Sequence, residues 1–173
     1  MLFRSEGRNA LIATGAFLPS LVLLSWPALK RIDASTSAPT EELGLLDAVP
    51  MFASLPLAAK EQLARSLVPV RVAAGDDIIR EGDIGDRFYI VSQGRLDVTS
   101  GRLTIGELQR GDSFGEIALL RDVPRTATVT ARGESLLYAL ERADFLDAAT
   151  GHAAGRAAGE AVVAERLVAP APD

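Results

Sequence analysis

The sequence predicts a mainly β domain, a sandwich or closed roll, held between helices and preceded by one membrane-spanning helix. Three observations predict it. Between Val68 and Leu140, short apolar runs alternate with glycine turns at the spacing of an all-β fold. Leucines and valines at helical spacing stand on either side of that stretch. Residues 10–29, ALIATGAFLPSLVLLSWPAL, are twenty positions without a charge. At about 1.5 Å per residue they match the thickness of a bilayer core.

Taken in order, residues 1–31 hold the apolar segment and its basic flanks, Arg4 and Arg8 before it and Lys30 and Arg31 after it. Trp26 suits a membrane interface, and Gly15 and Pro19 are tolerated in a membrane helix where a soluble one would suffer. A signal peptide fits less well, because the run exceeds a usual apolar core and no small-x-small cleavage site precedes the next charge. Residues 32–40, with the small polar stretch DASTSAPT, read as a linker. Residues 41–67 read as helices: Leu43, Leu45, Leu46 and Val49 up to a break at Pro50, then Pro56 to Leu67 with Leu57, Leu63 and Leu67 inward. The strand runs are VPVRVA, DIIR, RFYIV, RLDVTS, RLTIGEL, ATVTA and SLLYAL. In ATVTA, alternation puts Ala127, Val129 and Ala131 on one face and Thr128 and Thr130 on the other. Helical spacing returns at Phe145 and Leu146 and again at Val162, Val163, Leu167 and Val168, with Gly151, Gly155 and Gly159 weakening the start of the last helix.

Composition removes several classes of function. The 173 residues carry a net charge of −5 and no cysteine, which excludes disulfides, thiolate metal sites and a cysteine nucleophile. One histidine, His152, cannot build a multi-histidine metal centre, and its place between helices suits a solvent-facing residue. Residues 1–31 hold four basic and one acidic side chain; the remainder holds fourteen and twenty-two. An acidic domain is a poor nonspecific partner for nucleic acid, and no further pair of helices follows that could read DNA.

The stretch Gly111-Asp-Ser-Phe-Gly-Glu-Ile-Ala-Leu-Leu-Arg-Asp-Val-Pro-Arg-Thr-Ala-Thr-Val129 carries the chemistry. Gly111 and Gly115 allow tight turns and close backbone approach. Gly115-Glu116 opens a short helical turn whose free N–H groups favour an anion. Nine residues after Glu116, Arg125 supplies a permanent planar cation. A guanidinium can hold phosphate oxygens while a carboxylate accepts from a sugar hydroxyl. No general base, nucleophile or metal set accompanies them, so the reading is of binding without catalysis.

FGEIALL, three residues, then PRTATV resembles the phosphate-binding cassette of the cyclic nucleotide-binding domain family. Upstream, AAGDDIIREGDIGDRFYIVSQGRLDV is similar to that family's first strands. The resemblance covers residues 51–150 and continues loosely through 151–173. It implies an eight-stranded, jelly-roll-like β-roll with helices at both ends and a ligand that is cAMP or cGMP, with no cofactor or metal. By position, Glu116 would hold the ribose hydroxyl and Arg125 the cyclic phosphate. Gly115, Ile117 and Ala118 would line the phosphate, and Thr126 would add an N–H and a hydroxyl. Val91 and Leu108 would lie against the base, and residues 151–173 would form a lid helix with Val162, Val163 and Arg166 as its contacts. The apolar segment followed by such a domain also resembles the end of a bacterial major-facilitator-type membrane protein. That resemblance implies a chain held in the inner membrane by residues 10–29, with its C-terminal domain cytoplasmic. The competing expectation is a ligand-free β-roll that serves as an interaction domain for a transporter.

Overall fold

The computed structural model describes residues 40–168, so the apolar segment 10–29 lies outside the described residues. Among the described residues no helix is long and apolar enough to cross a membrane. Thr40, read as the last linker residue, instead opens helix α1 (Thr40–Ala48), with Glu41 and Glu42 in its first turn where the helix dipole favours acids. Pro50 ends that helix and also starts α2 (Pro50–Ala53), because a proline is accommodated in a first turn, where its missing N–H has no acceptor to serve. Helix α3 (Leu57–Ser66) buries Leu63 and Ala64. Leu57, expected inward, is the first residue of the helix and is 65% exposed.

Eight strands follow: β1 (Val68–Val72), β2 (Asp77–Ile79), β3 (Arg87–Gln93), β4 (Leu96–Ser100), β5 (Leu103–Leu108), β6 (Ser113–Phe114), β7 (Thr128–Ala131) and β8 (Ser135–Glu141). They form two antiparallel four-stranded sheets, ordered β1-β8-β3-β6 and β2-β7-β4-β5. Between β6 and β7 lies the short helix α4 (Glu116–Arg121); after β8 come α5 (Arg142–Thr150) and α6 (Ala153–Val168). His152 is exposed in the turn between these last two helices, as expected.

Two cores share the first sheet. The runs FYIV in β3 and LLYAL in β8 are continuously apolar because these central strands are covered on both faces. Phe88, Ile90, Tyr138 and Leu140 face the helices and join Leu46, Met51, Phe52, Leu63 and Phe145. Tyr89, Val91, Leu137 and Ala139 point the other way, with Phe114 of the same sheet, and meet Leu96, Val129 and Ala131 of the opposing sheet. The period of two thus splits each strand between the cores. The alternation read in ATVTA holds: Val129 and Ala131 are buried while the threonines are half-buried.

Candidate functional site

Strand β6 ends at Phe114, whose ring stacks on Tyr89 with centroids 5.1 Å apart. That contact fixes the chain just before it turns at Gly115. Gly115 has φ +93°, and a Cβ there would stand 2.6 Å from Arg125 Nη1 and 3.0 Å from the Arg87 carbonyl. Only glycine permits both the conformation and the approach. Gly85 is equally confined: a Cβ would meet the Ala118 Cβ at 2.7 Å. The loop before β3 and helix α4 therefore close upon the arginine from two sides.

Arg125 is 3% exposed. Its Nη1 donates to the Gly115 carbonyl at 3.0 Å, and its Nη2 donates to the Arg87 carbonyl at 2.7 Å and to Asp86 Oδ1 at 3.4 Å. Burial pulls its pKa below the usual arginine range, while Tyr89, Asp86 and Glu116 oppose the shift. A guanidinium remains charged under these conditions, so the fold holds a desolvated cation in place with backbone carbonyls. Two of its five N–H donors are left for a ligand.

Glu116, the first residue of α4, is 1% exposed. Its Oε1 accepts from Arg166 Nη1 of α6 at 2.7 Å. Its Oε2 is buried with no donor in reach, the sole such side-chain atom among the described residues. Buried carboxylate oxygens are costly to leave unpaired, which marks Oε2 as an acceptor for something brought into the site. Arg166 is anchored further by Nη2 donating to the Ser113 carbonyl at 2.8 Å.

These groups line one cavity of about 290 Å³ between the second sheet, α4 and α6. Of the residues singled out in the sequence, Gly115, Glu116, Ile117, Ala118, Arg125, Thr126 and Leu108 all line it. Val91 does not: it is fully buried between the two sheets, on the face of β3 that packs against Leu96 and Val129. Of the three residues expected on the lid, Arg166 reaches the cavity. Val163 is buried instead on the far side of α4, beside Leu120 and Ala149, and Val162 is not among the lining residues. The apolar wall opposite Arg125 comes from Ile79, Val98 and Ile105, none of them singled out in the sequence. Their strands were legible, but which face of each strand looked inward was not. Nothing in the sequence marks Asp86 either; only the folded loop brings it to Arg125.

Sequence and structure comparisons bear on the domain that carries this site. The cyclic nucleotide-binding domain family matches residues 69–152. The cAMP-dependent protein kinase regulatory subunit of Blastocladiella emersonii is 42% identical over 88 residues, covering 48% of this chain and 22% of the relative. A cyclic nucleotide-gated potassium channel of Rhizobium etli is 41% identical over 101 residues, covering 58% of this chain and 28% of the channel. The chain thus spans about a quarter of the length of these relatives. Among solved structures, the regulatory domain of Toxoplasma gondii PKA, co-crystallised with cAMP, superposes with a TM-score of 0.67 at 27% identity. That likeness covers 75% of this chain and 51% of the other. The roll, the glycine-bounded cassette and the sequence match coincide over one segment, and residues 69–152 are a domain of the cyclic nucleotide-binding family.

Proposed function

We propose that this domain is a regulatory module that binds a cyclic purine nucleotide, cAMP in the first instance and cGMP as the alternative, and carries out no reaction on it. One observation carries the reading: a single cavity holds both a buried carboxylate oxygen without a donor, Glu116 Oε2, and a buried guanidinium with donors to spare, Arg125. A cyclic nucleotide brings a hydroxyl for the first, a monoanionic phosphate for the second and an apolar-edged base for Ile79, Val98 and Ile105. Gly115, Ile117, Ala118 and Thr126 border the phosphate, and Leu108 borders the base. The relatives named above point to the same ligand class.

In the proposed switch, ligand and lid use different oxygens of the same carboxylate. Arg166 of α6 holds Glu116 Oε1, and the nucleotide hydroxyl takes Oε2. Binding at one oxygen fixes the carboxylate for the other, so the nucleotide favours the docked position of α6 by binding that state more tightly. The experiment is calorimetric titration of the full chain with cAMP and cGMP side by side. Arg125→Ala should cost about 2–5 kcal/mol of binding, roughly 30-fold or more in Kd, by leaving the phosphate unpaired in a buried site. Unchanged titrations in Arg125→Ala and Glu116→Ala would sink the assignment and favour a ligand-free interaction domain.

The output follows from what surrounds the domain. We place it on the cytoplasmic side of the inner membrane, tethered by residues 10–29, whose length and lack of charge suit a span. The chain would then be the C-terminal part of a major-facilitator-type membrane protein, and a kinase catalytic subunit is the partner that the regulatory-subunit relatives suggest. Fractionation without detergent should find the full chain in the membrane pellet. Recovery wholly in the supernatant would reject the tether.

A further inference from the structure

Helices α4 and α6 together wall a second cavity, on the opposite side of α4 from the first. It has a volume of about 200 Å³. Its floor is apolar: Leu120 of α4, Ala149 of α5 and Val163 of α6, the last two each 1% exposed. Its rim carries Arg121 of α4 and Arg156 and Glu160 of α6. Neither guanidinium has a hydrogen-bond or ion-pair partner among the described residues. By contrast, Arg125, Arg142 and Arg166, their neighbours in the same part of the fold, are each held by acids and carbonyls. The helices approach closely here, since a Cβ on Gly159 would lie 3.3 Å from Leu120 Cδ1.

An apolar floor below two free guanidiniums is complementary to an anion with a short hydrocarbon tail. Guanidinium forks match carboxylate oxygens, and the tail gains by leaving water. Glu160 on the same rim leaves one net positive charge there, which selects a monoanion over a phosphate dianion. We propose that this cavity binds a small aliphatic monocarboxylate, its head between Arg121 and Arg156 and its tail on Leu120, Ala149 and Val163, and that its occupancy tightens nucleotide binding next door. The coupling has a mechanical basis. Glu116, Ile117 and Ala118 of α4 and Arg166 of α6 line the first cavity, while Leu120 and Arg121 of α4 and Arg156 and Val163 of α6 line the second. A ligand that ties α4 to α6 on one side favours the arrangement in which they meet around the nucleotide on the other. Linkage then requires each ligand to strengthen the other equally. The binding half stands without the nucleotide reading; the coupling half rests on it.

The test uses the full chain and sodium octanoate as the probe, with sodium acetate as the anion that lacks a tail. Calorimetry should show saturable octanoate binding and none for acetate. Octanoate should lower the Kd of a fluorescent cAMP analogue by about fivefold or more. Both effects should vanish in the Arg121→Gln, Arg156→Gln double variant, whose nucleotide affinity without octanoate should equal that of the parent. Both arginines are exposed, so the variant is not expected to disturb folding. Octanoate binding that survives in the double variant, or that competes with the nucleotide, overturns the site. Octanoate binding with no change in nucleotide affinity overturns the coupling. A chain that takes octanoate but no nucleotide refutes the nucleotide reading and leaves the cavity assignment standing.

Discussion

At the level of single side chains, Arg142 joins three segments that meet behind Arg125. Its Nη2 donates to Asp122 Oδ1 at 2.7 Å, its Nη1 to the Gly85 carbonyl at 3.3 Å, and its backbone N–H to the Asp86 carbonyl at 2.9 Å. Asp122 sits at φ +53°, an unusual conformation for a residue with a Cβ, at the end of α4. Gly85 and Asp86 are in turn the residues that confine Arg125. The Asp122 carboxylate is largely exposed, so its ion pair contributes little to stability, about 0–1 kcal/mol. Placement is a different matter. Arg142→Ala should leave the melting temperature nearly unchanged yet cost about 0.5–2 kcal/mol of nucleotide affinity. If the effect travels through Arg125, it should disappear in an Arg125→Ala background, a double-mutant cycle that titration can complete. Additive losses would show that Arg142 acts by another route.

Among the elements, α6 and the N-terminal helices meet through a close backbone approach. A Cβ on Gly155 would lie 3.1 Å from both the Ala149 and the Met51 carbonyl oxygens. The glycine that made this helix look weak in the sequence is the residue that lets α6 lie against α2 and α5. Gly155→Val should push these helices apart, at about 1–3 kcal/mol in urea unfolding as overpacking does. Because Arg166 rides on the same helix, nucleotide affinity should fall as well; a variant that loses stability but binds normally would separate the lid from its packing. The element boundaries were legible where periodicity was long. The seven apolar runs are seven of the eight strands. The missed strand, β6, is two residues inside a glycine turn, too short to show any period. Leu57 departs from the pattern because a residue in the first turn of a helix obeys capping geometry before it obeys the amphipathic pattern.

For the domain formed by the described residues, the candidate site was more legible than the core. Glu116 and Arg125 stand in one unbroken stretch of sequence, whereas the cavity wall draws Ile79, Val98, Ile105 and Leu108 from three strands whose inward face only sheet pairing decides. The helix-side core has the same non-local character. Phe52 of α2, Phe88 of β3 and Phe145 of α5 form a cluster with ring centroids 4.7–6.0 Å apart. Phe88 and Phe145 stack, and Phe52 meets both edge-on, so one aromatic knot joins the helices before the roll, the roll itself and the helices after it. All three are fully buried. Phe88→Ala should therefore cost about 3–5 kcal/mol, the range for an emptied aromatic core position. It should also act on the whole unit at once: far-ultraviolet circular dichroism of the helices and near-ultraviolet signal from Tyr89 and Tyr138 should lose amplitude in one shared transition, displaced to lower urea. If the helical signal melts well before the tyrosine signal, the knot is not what couples lid to roll, and Arg166 with Glu116 must carry that coupling alone.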